Sequence, residues 1–151
     1  MNMKRIFLLT LAIAMPLVFS GCSSSQDSVS KKEDKAKVLS QETKNAKAAV
    51  YFFWGEGCPH CAEEKPFLEE MEEKYPELEV KMLETYKDKE NSELFQEMAA
   101  AYGTQARGVP VTFIGDTEPI VGFSERMETE IEDRIKTCLE KECVNPISKI
   151  N

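Results

Sequence analysis

Ala49-Val50-Tyr51-Phe52-Phe53-Trp54-Gly55-Glu56-Gly57-Cys58-Pro59-His60-Cys61 passes without a break from an apolar run, through a glycine-flanked turn, to a closely spaced cysteine pair. The run Ala49 to Trp54 has the pattern of a strand buried on both faces. Gly55-Glu56-Gly57 supplies the turn, and beyond the cysteines Phe67, Leu68, Met71 and Tyr75 recur at helical spacing up to Pro76. The cysteines therefore stand at a strand-to-helix junction, with Cys58 at the helix N-terminus.

That position sets their chemistry. Unpaired amides and the positive end of a helix dipole stabilise a thiolate, so Cys58 is expected to be the attacking sulfur. Cys61, one turn in, is more buried and poised to resolve a mixed disulfide formed on Cys58. Pro59 suits the first turn of a helix, where its missing N–H is not needed. His60, at the mouth of the motif, can donate a hydrogen bond or a positive charge to the thiolate. Such a donor favours the reduced form and makes the disulfide more oxidising.

The whole chain of 151 residues, 42% hydrophobic and 30% charged, suits one globular domain plus ends and excludes collagen, coiled coil and wholesale disorder. A formal net charge of −8 argues against a nucleic-acid partner, because that affinity comes from Lys and Arg neutralising phosphates. With His60 the single histidine, centres built from several imidazoles are excluded, as is a Ser-His-Asp triad unless His60 itself serves. Five cysteines are the remaining chemical resource.

Ahead of the domain, residues 1–21 have the form of a targeting segment: Lys4 and Arg5, the apolar run Ile6 to Phe19, then Ser20 and Gly21. The apolar run covers roughly 21 Å as a helix, short of a hydrocarbon core of about 30 Å. Val18-Phe19-Ser20-Gly21-Cys22 resembles a bacterial lipoprotein signal, which implies cleavage before Cys22 and lipidation of Cys22. Phe19 departs from the usual leucine of that signal, and the alternative is an ordinary secretory signal with an incidental cysteine. More than one acyl chain, as that resemblance implies, makes anchoring stable. Residues 22–47, rich in Ser, Lys, Glu, Asp, Gln and Ala, bury too little to offset chain entropy and are expected to form a flexible tether. The folded domain is expected over 48–146, with 147–151 as a C-terminal tail.

Trp54-Gly55-Glu56-Gly57-Cys58-Pro59-His60-Cys61 resembles the active site of the thioredoxin superfamily. Tyr102-Gly103 and Arg107-Gly108-Val109-Pro110-Val111-Thr112-Phe113-Ile114 are similar to the segment that bears the family's cis-proline, which implies that Pro110 is cis and lies beside Cys58. Pro66 stands where the family often kinks the active-site helix, and Val121-Gly122-Phe123-Ser124 resembles the last strand and the cap of the final helix. The resemblance spans roughly residues 49 to 140. It implies an α/β thioredoxin-like fold, a central mixed sheet flanked by helices. The order is strand 49–54, helix 59–75, strand 78–84, helix 92–102, the Pro110 loop, strands 111–114 and 119–123, and helix 125–141. Ser92 and Ser124 are candidate N-caps and Gly103 a C-cap. The strand and helix that open the family's fold are either drawn from the tether or absent. An extended peptide would dock on the backbone around Val109 and Pro110, with Trp54 at the core and rim of the site.

Two departures stand out. The carboxylate that thioredoxins bury two residues before the tryptophan is Phe52 here, so the family's route for activating the second cysteine is closed unless Glu56 or a water takes the role. Pro59-His60 and Val109 resemble the oxidising DsbA type, yet the 48 residues between Cys61 and Pro110 leave no room for its helical insertion. Couples of this fold differ by roughly 150 mV.

Cys138 and Cys143 lie at the end of the last helix, whose apolar face is Met127, Ile131, Ile135 and Cys138. Five residues apart on a regular helix they point about 140° away from each other, so a bond requires the helix to end between them. A structural disulfide, free packing cysteines and a second redox pair remain open. The acidic run Glu63, Glu64, Glu69, Glu70, Glu72 and Glu73 is expected to be a solvated face.

The resemblance implies a membrane-anchored, extracytoplasmic thiol–disulfide oxidoreductase, periplasmic in a Gram-negative cell, acting on cysteine-containing exported proteins and served by a membrane redox partner. The oxidising direction is expected from His60, with a thioredoxin-like reductase as the alternative. No cofactor, no resident metal and a monomer are expected. The competing class is a metallochaperone lipoprotein holding Cu(I) or Zn(II) on Cys58, Cys61 and His60, in which Pro59 and the Pro110 segment would have no purpose.

Overall fold

Ala48–Trp54 forms strand β1, buried along its length except at Trp54, because helices cover both faces of the sheet it centres. The computed structural model describes residues 46–150. The expected signal segment, Cys22 and nearly all of the expected tether lie outside them.

After β1 the chain runs through helix α1 (Pro59–Lys74), β2 (Leu78–Glu84), helix α2 (Lys89–Ala101), β3 (Val111–Ile114), β4 (Ile120–Val121) and helix α3 (Glu125–Lys141) to a short 3-10 helix at Pro146–Ile150. The strands are ordered β2-β1-β3-β4. β1 pairs parallel with β2, placing Trp54 opposite Glu84, and antiparallel with β3, placing Phe52 opposite Thr112. One face carries Val50, Phe52 and Ile114 against Leu68 of α1 and Ile131 and Ile135 of α3. The other carries Tyr51, Phe53 and Phe113 against Leu94, Phe95 and Met98 of α2. The alternation of β1 side chains between two separate clusters is what a period of two requires of a central strand.

Three local signals differ from the sequence expectation. Helix α2 starts earlier than Ser92 because Asp88 caps it, its carboxylate accepting the Asn91 N–H at 2.9 Å. β4 stops at Val121, since Gly122 takes a φ of 79° and turns its N–H to the Pro110 carbonyl at 2.9 Å. The segment expected as a tail is part of the packed unit: Ile147 is fully buried in the cluster of Met98 and Phe113, and Lys149 Nζ lies 4.2 Å from the centre of the Tyr102 ring. The α2 face of the sheet needs apolar cover near the end of β3, and these residues supply it.

Helix α3 ends at Glu142, which adopts the left-handed conformation with φ 51°. That ending brings Cys138 and Cys143 together as a disulfide, their Cα atoms 4.7 Å apart. The bond packs on Gly115, where φ is 59° and a Cβ would stand 2.9 Å from Cys138 Sγ and 3.0 Å from Cys143 Cβ. Ser124 holds the N-cap position of α3, although its hydroxyl makes no capping bond.

Candidate active site

The β1 strand ends at Trp54 and the chain reverses through Gly55-Glu56-Gly57, closed by the Cys58 N–H donating to Gly55 O at 3.1 Å. Gly57 sits at φ 82°, a conformation that a side chain would oppose. The turn delivers Cys58 to the N-cap of α1 with extended backbone, followed by Pro59 at the first helical position. Cys58 and Cys61 are joined as a disulfide, Cα to Cα 5.3 Å. Cys58 Sγ accepts the Cys61 N–H at 3.2 Å, so one of the orphan amides at the start of the helix is aimed at this sulfur.

The Val109–Pro110 peptide bond is cis, and it brings Val109 O to 3.6 Å from Cys58 Sγ. The carbonyl stays beside the sulfur because Pro110 leads directly into β3 and its own carbonyl is held by Gly122. Trp54 borders the site: its carbonyl accepts from Thr85 N at 2.8 Å and Thr85 Oγ1 at 3.0 Å, and Lys65 Nζ lies 4.8 Å from its ring centre. Its indole Nε1 is buried without a hydrogen-bond partner among the described residues.

His60 is oriented differently from the sequence expectation. Its Nδ1 faces Glu63 Oε2 at 3.4 Å on an exposed surface. The polar contact to Cys58 Sγ comes from the Cys61 amide. A cavity of about 540 Å³ opens beside the motif between His60, Glu63 and the start of α3 at Ser124 and Glu125.

Glu64 departs from the expected solvated acidic face, whereas Glu63, Glu69, Glu70, Glu72 and Glu73 are exposed on it as expected. Glu64 is fully buried, aligned along α1 with Cys61, Leu68 and Met71. Residues three apart on a helix have Cβ atoms about 5–6 Å apart, so Glu64 follows Cys61 by one turn on the same buried face of the helix. Glu64 Oε1 accepts the hydroxyl of Thr112, and Oε2 has no partner among the described residues. Burial pushes its pKa up from the ordinary 4.5 to about 7, and the Thr112 hydrogen bond offsets only part of that rise. Its signal in the sequence was periodicity: position 64 shares the buried stripe of Cys61 and Leu68. Glu56 does not take the buried role, being paired with Lys87 on the surface.

Among the described residues no group of three or more His, Cys, Asp or Glu side chains is arranged to hold a metal ion. Cys138–Cys143 stands apart from this site, lining a groove of about 520 Å³ with Arg126, Arg134 and Thr117.

A family model described as Redoxin matches residues 21–138. No curated protein matches the sequence. Among solved structures, a thiol:disulfide interchange protein DsbE from Chlorobium tepidum is similar with a TM-score of 0.50 at 17% identity, over 66% of this chain and 84% of that one. Mitochondrial thioredoxin 3 from Saccharomyces cerevisiae gives 0.49 at 18% identity, over 67% and 88%. The catalytic domain of Proteus mirabilis ScsC gives 0.46 at 16%, over 71% and 98%. At such identities the likeness is one of fold.

Proposed function

The chain belongs to the Redoxin family and is a thiol–disulfide oxidoreductase, and from that premise we propose that it oxidises cysteine pairs of exported proteins while anchored at the outer face of a membrane. The observation that carries the direction is the Cys61 amide on Cys58 Sγ at 3.2 Å. A donor held at a helix N-terminus stabilises the Cys58 thiolate, and a stabilised thiolate is a good leaving group and makes its disulfide the stronger oxidant.

The reaction balances with the groups present. A substrate thiolate attacks Cys58 Sγ, the Cys58–Cys61 bond breaks, and the electron pair leaves on Cys61. Glu64, whose pKa lies at about 7, hands its proton to the Cys61 thiolate, which moves the negative charge from the sulfur to the carboxylate that accepts the Thr112 hydroxyl. A second substrate thiolate then attacks the substrate sulfur of the mixed disulfide and expels Cys58. The substrate gains a disulfide and the enzyme holds two thiols. Run backwards, the Glu64 carboxylate takes the Cys61 proton and Cys61 resolves the mixed disulfide. The backbone at Val109 lies next to the sulfur, where an extended substrate segment can pair with it. Reoxidation of the two thiols falls to a membrane partner that carries a disulfide of its own.

The test is to mix the oxidised full-length chain with reduced, unfolded ribonuclease and count substrate disulfides by mass after alkylation. One substrate disulfide per chain is expected, and none from Cys58→Ser. A chain that leaves ribonuclease reduced, but in its dithiol form reduces insulin, would overturn the oxidising direction in favour of a reductase.

A further inference from the structure

The carboxylate of Glu84 accepts four backbone N–H groups from two different loops. Oε1 takes Glu56 N at 3.2 Å and Tyr86 N at 3.0 Å, and Oε2 takes Lys87 N at 2.8 Å and Asp88 N at 3.2 Å. Tyr86, Lys87 and Asp88 belong to the loop between β2 and α2. Glu56 belongs to the turn that delivers Cys58 and lies 28 residues away in sequence. One side chain therefore ties the redox turn to its neighbouring loop.

The surroundings show that the loop is built against the turn. Glu84 is the β2 partner of Trp54, the last strand residue before the turn. Thr85 bonds the Trp54 carbonyl through both its N–H and its hydroxyl. Tyr86 is 62% exposed, yet its ring lies so close to Gly55 that a Cβ there would come within 2.5 Å of it. Lys87 pairs with Glu56. Burial at this end of β2 opposes a charge on Glu84, but the N–H groups of Lys87, Tyr86 and Asp88 outweigh it and hold the carboxyl below its ordinary pKa.

We propose that Glu84 is a positioning residue for thiol–disulfide exchange: by holding Glu56 N–H it fixes the Gly55–Cys58 turn, and thereby Cys58 Sγ, in register with Cys61. Two thiols held in bonding register have a high effective concentration, and that concentration favours the closed disulfide. Loosening the turn lowers it and shifts the couple toward the dithiol, while the chemistry at sulfur stays the same. Glu84 touches neither the substrate nor the reacting sulfurs.

This inference rests on Cys58–Cys61 being the redox couple. The test equilibrates full-length wild type, Glu84→Ala and Glu84→Gln with glutathione buffers and reads the dithiol fraction after alkylation, with thermal stability measured separately. Glu84→Ala is expected to move the equilibrium three- to tenfold toward the dithiol, tenfold being about 30 mV. Glu84→Gln keeps one acceptor oxygen and should fold even if the alanine variant does not, with a shift of about threefold. Lys47→Ala, which removes the Lys47–Glu77 ion pair far from the turn, is the control for lost stability alone. Equilibria within twofold of wild type in whichever Glu84 variants fold, or a shift toward the disulfide, would overturn the positioning role even if stability falls. A wild-type chain that does not exchange with glutathione at all would overturn the functional assignment together with it.

Discussion

Glu64 on α1 accepts the hydroxyl of Thr112 on β3, across the sheet face that also holds Cys61. Thr112 lies two residues beyond the cis-proline Pro110 and opposite Phe52, so the bond ties the active-site helix to the strand that carries the Val109 carbonyl. A carboxyl in that place is costly when charged.

The cost is measurable. Because the folded pKa of Glu64 lies at about 7 against 4.5 in the unfolded chain, the native state holds this proton more tightly and stability declines as pH rises between those values, by about 3 kcal/mol in all. Glu64→Gln removes that decline. Denaturant unfolding of the oxidised protein should show the variant more stable than wild type by about 2 kcal/mol at pH 8, with no such gain at pH 4. The resolving step should slow about tenfold in stopped-flow exchange, since the Cys61 proton loses its acceptor. A stability difference that does not vary with pH would remove Glu64 as the proton-holding group.

Glu64 also shows where sequence stopped being sufficient. The strand and the cysteine junction were legible because each depends on local pattern, an unbroken apolar run and a turn built with glycines, whereas the Pro110 segment was legible through its resemblance to the thioredoxin superfamily. Glu64 was hidden among Glu63, Glu69 and Glu70, where composition suggests solvent. Only its phase with Cys61 and Leu68, and the uncharged space left by Phe52 on the facing strand, mark it as buried. Asp88 displaced Ser92 as the cap of α2 for a different reason, since both are capping residue types and tertiary position chose between them. The C-terminal residues were misjudged because a short 3-10 segment has no periodicity to detect, although Ile147 and Ile150 are apolar.

His60 has a smaller predicted effect than its place in the motif suggests. Its ring faces Glu63 at 3.4 Å and both side chains are more than half exposed, at 62% and 61%, so solvent screens whatever charge it carries. His60→Ala is expected to make the couple less oxidising, by about two- to fivefold in the glutathione equilibrium, where tenfold is about 30 mV. No shift would leave the Cys61 amide as the group that sets the stability of the Cys58 thiolate, and a shift toward the dithiol would reverse the effect assigned to His60.

The Cys138–Cys143 disulfide is predicted to be a staple. It closes a short loop at a left-handed helix end, next to the segment that buries Ile147. For so short a loop the chain-entropy contribution is about 2 kcal/mol. The double variant Cys138→Ala with Cys143→Ala should melt about 8–15 °C lower, with an unchanged glutathione equilibrium at Cys58–Cys61. Unchanged melting would dismiss the staple, and an altered equilibrium at the first disulfide would mark the second as its redox partner.

Membrane attachment is predicted to depend on Cys22, which precedes the described residues. A diacylated cysteine anchors stably where a single chain does not, and Ile6 to Phe19 is too short to span by itself. Expressed in a bacterium with active lipoprotein processing, the wild-type chain should sediment with membranes through a carbonate wash and incorporate labelled fatty acid. Cys22→Ala should lose the label and move to the soluble or secreted fraction, while its exchange with glutathione matches wild type, because the redox residues lie beyond the attachment point. A Cys22→Ala chain that stays with the membrane fraction would show that something other than lipid on this cysteine holds it, and a wild-type chain without label would leave an ordinary secretory signal as the role of residues 1–21.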